Sequence, residues 1–139
     1  MIPIENVPDE AFARKMLGDG VGFVFDGDTL YAPCNGKVIM TGRTGHAVGI
    51  RMKNKVEILL HVGQGAIFIK SGGFEMLTAK GRKVEAHEPL IRINRKYLEE
   101  QGMNLTTSLV ITGQQGFGIS KAEPGDVDIN TVVMELFKE

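Results

Sequence analysis

From Gly18 onward the chain is cut into short apolar runs by Gly, Pro, Asn and Asp, and that punctuation restricts the fold more than any other feature. Val21 to Phe25, Leu30 to Ala32, Lys37 to Thr41, His46 to Met52, Val56 to Val62, Ala66 to Ile69, Leu90 to Ile93, Ser108 to Thr112 and Val132 to Phe137 each read as a strand between turn signals. Glycine supplies 18 of 139 residues, close to double the usual share of about 7%, which suits many tight turns and few long helices. The pattern predicts an all-β chain, an antiparallel β-sandwich or flattened barrel.

Two short helices accompany the strands. Pro8, Asp9 and Glu10 open one that carries Arg14 and Lys15 in its last turn and stops at Gly18, matching the helix dipole at both ends. The other runs from Arg95 to Gln101, with Asn94 as N-cap and Gly102 just beyond it. No linker, low-complexity tract or charge run divides the sequence, so residues 1–139 are expected to form one domain.

The charge balance removes whole classes of partner. Lys plus Arg is 16 and Asp plus Glu is 17, so no long-range field favours nucleic acid or an anionic membrane. No apolar run approaches the roughly 20 residues of a membrane span. Cys34 is the one cysteine, so no disulfide can form within the chain. A soluble protein of the cytoplasm is expected.

Chemistry is expected at two histidines. His46 opens one strand-like run and His61 ends the next, with Lys53-Asn54 between them as a candidate two-residue hairpin tip. That tip places His46 directly opposite His61 and Val48 opposite Leu59. Opposed residues share a face with Cβ atoms about 4.5–5.5 Å apart. The other face, with Ala47, Gly49 and Arg51 opposite Leu60, Ile58 and Val56, is then the core side, and Val48 and Leu59 form an apolar apron around the imidazoles.

Adjacent neutral imidazoles suit phosphoryl transfer. One ring nitrogen has a lone pair able to attack phosphorus, and a neighbouring N–H can hold the equatorial oxygens. Gly63 and Gly65 would let backbone amides approach the same group. Metal binding is the rival chemistry, since imidazole is a common zinc ligand. The sequence offers no His-x-His, no His-Glu-x-x-His and no obvious third ligand. A purely structural pair is the third reading, and spacing alone does not choose among them.

Several ordered motifs add a family resemblance. Val7-Pro8-Asp9 with Phe12, Met16 to Gly22, Ala32-Pro33 with Gly36, Thr44 to Ile50, Val56 to Gly63, Gly73-Phe74 and the Gly81-x-x-Val84 turn resemble the glucose-family enzyme IIA proteins of the bacterial phosphoenolpyruvate-dependent sugar phosphotransferase system. The likeness runs from about Ile4 to the C-terminus. It implies an antiparallel sandwich and a phosphotransferase component with no required cofactor. It implies that His61 takes a phosphoryl group on Nε2 from the phosphocarrier HPr and passes it to a cysteine of a sugar permease's IIB domain. His46 would be the stabilising histidine and Thr44 the hydroxyl that orients it. Asp9, Val48, Leu59, Gly63 and Gly65 would face partners. Some relatives also bind regulatory target proteins, in one case through a zinc shared by the two histidines.

The chain departs from the family pattern in places. Gly65 and Ala66 stand where an aspartate and a threonine are usual, Asn35 replaces an aspartate, and His87 replaces a glycine. The missing aspartate removes a contact to a partner arginine. Two alternatives therefore accompany the carrier reading: a regulatory binding module of the same fold that transfers no phosphate, and a zinc hydrolase on a similar scaffold. His87 and Cys34 read as a solvated turn residue and a small, partly buried side chain without a depressed thiol pKa.

Overall fold

The computed structural model describes residues 1–6, 18–24, 27–42, 45–63, 73–102, 104–113, 117–121, 125 and 134–138, with backbone alone for 117–121 and 134–138. Twelve strands follow in chain order: β1 (Ile2–Pro3), β2 (Asp19–Phe23), β3 (Thr29–Tyr31), β4 (Gly36–Thr41), β5 (Ala47–Arg51), β6 (Glu57–Val62), β7 (Phe74–Met76), β8 (Lys83–Val84), β9 (Pro89–Ile93), β10 (Thr107–Gly113), β11 (Phe117–Lys121) and β12 (Met134–Lys138). A 3-10 turn spans Ile4–Asn6, and helix α1 spans Arg95–Glu100. The Asn94 side chain accepts a hydrogen bond from the Tyr97 amide at 3.2 Å, the cap that its position announces. The helix expected over 8–17 and the strand expected from Ala66 to Ile69 lie outside the described residues.

Every strand pairing among the described residues is antiparallel. One sheet has the order β1-β2-β10-β6-β5-β4-β8, a second has β3-β9-β7, and β11 pairs with β12. The two larger sheets pack face to face over one core. Val38, Val48, Ile50, Ile58, Leu60, Leu109 and Ile111 come from the first sheet, Leu90, Ile91 and Ile93 from the second, and Leu98 from α1. Each such side chain removed from water contributes about 1.5–3 kcal/mol before entropy is counted. Among the described residues the larger sheet ends at β1 on one side and β8 on the other, so these strands form an open sandwich, not a closed barrel.

The β5–β6 hairpin corrects the expected register by one residue. Ala47, not His46, lies opposite His61, and Val48 pairs with Leu60, Ile50 with Ile58 and Arg51 with Glu57. The cause is the tip. Met52 and Val56 close a three-residue loop through the Met52 amide to the Val56 carbonyl at 2.8 Å, and the Lys55 amide donates to the Met52 carbonyl at 2.9 Å. Lys55 takes the left-handed conformation, φ 71°, that a turn followed by a bulge requires. The Asn54 side chain locks it by accepting from the Val56 amide at 3.0 Å.

One step of register exchanges the faces of a whole strand. Val48 and Ile50 therefore join Ile58, Leu60 and Val62 in the core, all at 6% exposure or less. Ala47, Gly49 and Arg51 turn to the outer face with His61, Leu59 and Glu57. Val48 cannot line a docking surface, because its side chain is fully enclosed in the sandwich.

Candidate active site

His61 owes its position to strict alternation in β6. Ile58, Leu60 and Val62 are buried, whereas Glu57, Leu59 and His61 alternate with them on the outer face and are only partly covered. Across that face the ladder places His61 between Ala47 of β5 and Ser108 of β10, with Gly22 of β2 beyond. A tight second cluster lies beside it, where Ile4 and Val110 are fully buried and Ile2 and Leu59 pack around them.

His46 reaches the same place without being His61's partner. Its carbonyl accepts from the Val62 amide at 2.8 Å, but β5 begins only at Ala47, and the preceding Gly45 turns the chain with φ 77°. The ring thus sits at the rim of the sheet. Its centroid lies 4.8 Å from that of His61, edge to face at 85°. Phe74 of β7 stands on another side at 6.3 Å, so both sheets frame the imidazole.

Gly42 completes the seat. A Cβ there would lie 3.0 Å from Cε1 and 3.1 Å from Nδ1 of His46, tighter than side chains normally tolerate. The Gly42 amide is held by the Ala47 carbonyl at 2.9 Å, and its own carbonyl accepts from the Gly45 amide at 3.0 Å. The missing side chain is what lets the ring lie against this turn.

Electrostatics separates the two nitrogens of each ring. Burial lowers the His46 pKa below the usual histidine value, because a cationic ring is poorly solvated there, so at neutral pH it is an uncharged donor and acceptor. Nδ1 of His61 is sealed from solvent, and a partner approaching from outside meets the other edge of that ring. Neutral imidazoles in edge contact can perform nucleophilic attack at one nitrogen while a neighbouring N–H steadies developing negative charge.

Other expected residues divide as follows. Leu59 does lie on the histidine face, and exposed Met40, paired with Gly49 two strands from Leu59, extends the apolar surround that Val48 was expected to provide. Gly63 is buried, and its amide donates to the Thr106 carbonyl at 3.1 Å, so this amide is occupied by the fold instead of aimed at a phosphoryl group. Thr44, Asp9 and Gly65 lie outside the described residues. His87 is exposed in a turn at φ 72°, which explains a glycine as the ordinary occupant. Cys34 is half-buried, and burial pushes its thiol up to about 11. Among the described residues no three His, Cys, Asp or Glu side chains converge on a metal position, and no helix is long and apolar enough to cross a membrane.

Sequence reasoning assigned no role to Phe74, Gly42 or Ser108. None of them carries a local signal: Ser108 merely ends the small polar run Thr106-Thr107-Ser108 before Leu109.

Comparison with known proteins converges on one system. Residues 1–117 match the family model described as phosphoenolpyruvate-dependent sugar phosphotransferase system, EIIA 1. The fold is similar to glucose permease IIA from Mycoplasma capricolum, with a TM-score of 0.89 and 30% sequence identity over 96% of this chain and 86% of that one.

Proposed function

We propose, on the premise that this chain belongs to the EIIA 1 family of the phosphoenolpyruvate-dependent sugar phosphotransferase system, that His61 is its transient phosphohistidine and His46 the group that steadies the phosphoryl in flight. The coarser role, a phosphocarrier component of that system, follows from family and fold together. The observation that carries the finer reading is the edge-to-face contact of the rings at 4.8 Å. Two imidazoles at that spacing can share one phosphoryl group.

The donor is phospho-HPr and the acceptor is the cysteine of a permease IIB domain. On arrival, the Nε2 lone pair of His61 forms a bond to phosphorus while the electron pair of the donor's N–P bond returns to the donor imidazole. On departure the IIB thiolate attacks phosphorus and the pair returns to His61. The transition state is loose, with charge on its equatorial oxygens, so the protein contributes mainly position and hydrogen-bond donors. His46, neutral through burial, keeps an N–H for that purpose without trapping the phosphate as a full cation would. The face built by Leu59 and Met40 gives partners an apolar surface next to the rings. Thr44 is proposed to orient His46, and Asp9 and Gly65 to border the partner surface. The transfer is placed in the cytoplasm and needs no metal. A zinc shared by His46 and His61 would need further ligands from a bound target protein, since structural zinc takes four.

Incubation with phosphoenolpyruvate, the general enzyme I and HPr tests the assignment. The parent should acquire an acid-labile phosphoryl label and the His61→Ala variant should not. His46→Gln should accept the label but pass it slowly to the IIB cysteine, because the stabilising donor is weakened. A label that persists in His61→Ala places the site elsewhere. A folded parent that takes no label favours a regulatory binding module.

A further inference from the structure

Ser108 is fully buried, yet its Oγ has no hydrogen-bond partner. An orphaned buried hydroxyl costs about 1–3 kcal/mol, and native structures hold few of them without a reason. Its neighbours give the reason a direction. Ser108 is the cross-strand partner of His61 on β10, and directly paired residues of an antiparallel ladder project to one face with Cβ atoms about 4.5–5.5 Å apart. The adjacent Thr107 and Leu109 belong to the opposite face, where Leu109 joins the main core. The Nδ1 edge of His61 is closed to solvent as well, so water does not compete for whatever lies between the two side chains.

We infer that Ser108 is a positioning residue for His61, its hydroxyl oxygen accepting a hydrogen bond from Nδ1–H so that the Nε2 lone pair is the one presented to phosphorus. The inference rests on the carrier role of His61. Oγ is bonded to Cβ and Nδ1 to Cγ, so rotation about χ1 of a small side chain suffices to bring them into contact across a cross-strand pair. The chemistry supplies the driving force. As Nε2 gives its lone pair to phosphorus and the donor's N–P pair leaves with the donor imidazole, the His61 ring gains positive charge and keeps its Nδ1 proton. Nδ1–H then becomes a stronger donor at a place where burial denies it water. A hydrogen bond to a charged donor is roughly twice as strong as a neutral one, so an acceptor here favours the phosphorylated ring over the resting one.

The test compares the parent with Ser108→Ala and Ser108→Thr. Nitrogen-15 NMR of the unphosphorylated protein reads the tautomer of His61, and the rate of labelling by saturating phospho-HPr reads the transfer. The parent should hold the Nδ1–H tautomer in excess. Ser108→Ala should shift the ratio toward Nε2–H and slow labelling roughly three- to tenfold, with half-saturation by HPr unchanged and a melting temperature equal to or above that of the parent. Ser108→Thr, which restores a hydroxyl, should recover both readouts. An unchanged tautomer ratio together with labelling within about twofold of the parent overturns the inference and leaves Ser108 a structural residue. A parent that takes no label at all defeats the carrier role, and the tautomer ratio alone then judges Ser108.

Discussion

The two faces of the β5–β6 hairpin do different work with one backbone ladder. On the inner face Val48, Ile50, Ile58, Leu60 and Val62 are apolar, enclosed and free of polar atoms to satisfy. On the outer face the same strands present a histidine, a glycine, a leucine and an ion pair, and the strand beside them adds a hydroxyl with no partner. Stability is concentrated on one side, and unmet bonding capacity on the other. The outer face can carry reactive groups because the inner face holds the strands rigid beneath it.

Substitutions can break that division where it is strongest. Leu60→Ala removes a core side chain 3% exposed, and should cost about 2–5 kcal/mol, read as a lowered denaturant midpoint with unchanged slope. Labelling per folded molecule should stay near the parent value. If labelling falls as steeply as stability, the faces are not separable.

The outer face responds in the opposite sense. Gly42→Ala puts a methyl group 3.0 Å from the His46 ring and should slow onward transfer to IIB on the order of tenfold by displacing the donor. Its effect on unfolding should be the lesser one. A variant that transfers at the parent rate would show that the seat of His46 is not built by this turn.

Protonation sharpens the contrast further. The His46 pKa is lowered in the folded protein by burial, so the unfolded chain binds more protons below about 6.5. The contribution is fully present above that pH and is lost as pH falls through the folded-state value. An NMR titration should therefore find His46 titrating below the ordinary histidine range, and stability should decline on the acid side of it. A midpoint at or above the ordinary value would contradict a desolvated ring.

The smallest effect belongs to the far end of the same face. Arg51 and Glu57 pair at 2.9 Å, but their side chains are 52% and 28% exposed, and such pairs are worth about 0.2–1 kcal/mol. Arg51→Ala should leave transfer unchanged and move the thermal midpoint little, less so in high salt.

How much of this was legible follows the physics of each signal. Runs of alternating residues disclosed most of the strands, and Asn94 with Gly102 disclosed the helix ends, since those signals are local. The strands at Ile2–Pro3, Phe74–Met76 and Lys83–Val84 are too short to show a period, and Phe117–Lys121 is weakened by Gly118. The hairpin register is not legible because nothing in the sequence marks Lys55 for a left-handed backbone, a conformation usual for Gly or Asn. The histidines meet all the same, by another route than the ladder: His46 lies just before β5, where the turn at Gly45 brings its ring to His61. Ser108 and Phe74 acquire meaning only through long-range pairing, which no local pattern contains.

Long-range nitrogen–phosphorus NMR on the freshly labelled protein tests the central claim most directly. Coupling of phosphorus to Nε2 of His61, with the His46 ring resonances shifted by the neighbouring group, is the expected result. Phosphorus on Nδ1, which the fold closes to solvent, or on His46 or His87, would contradict it.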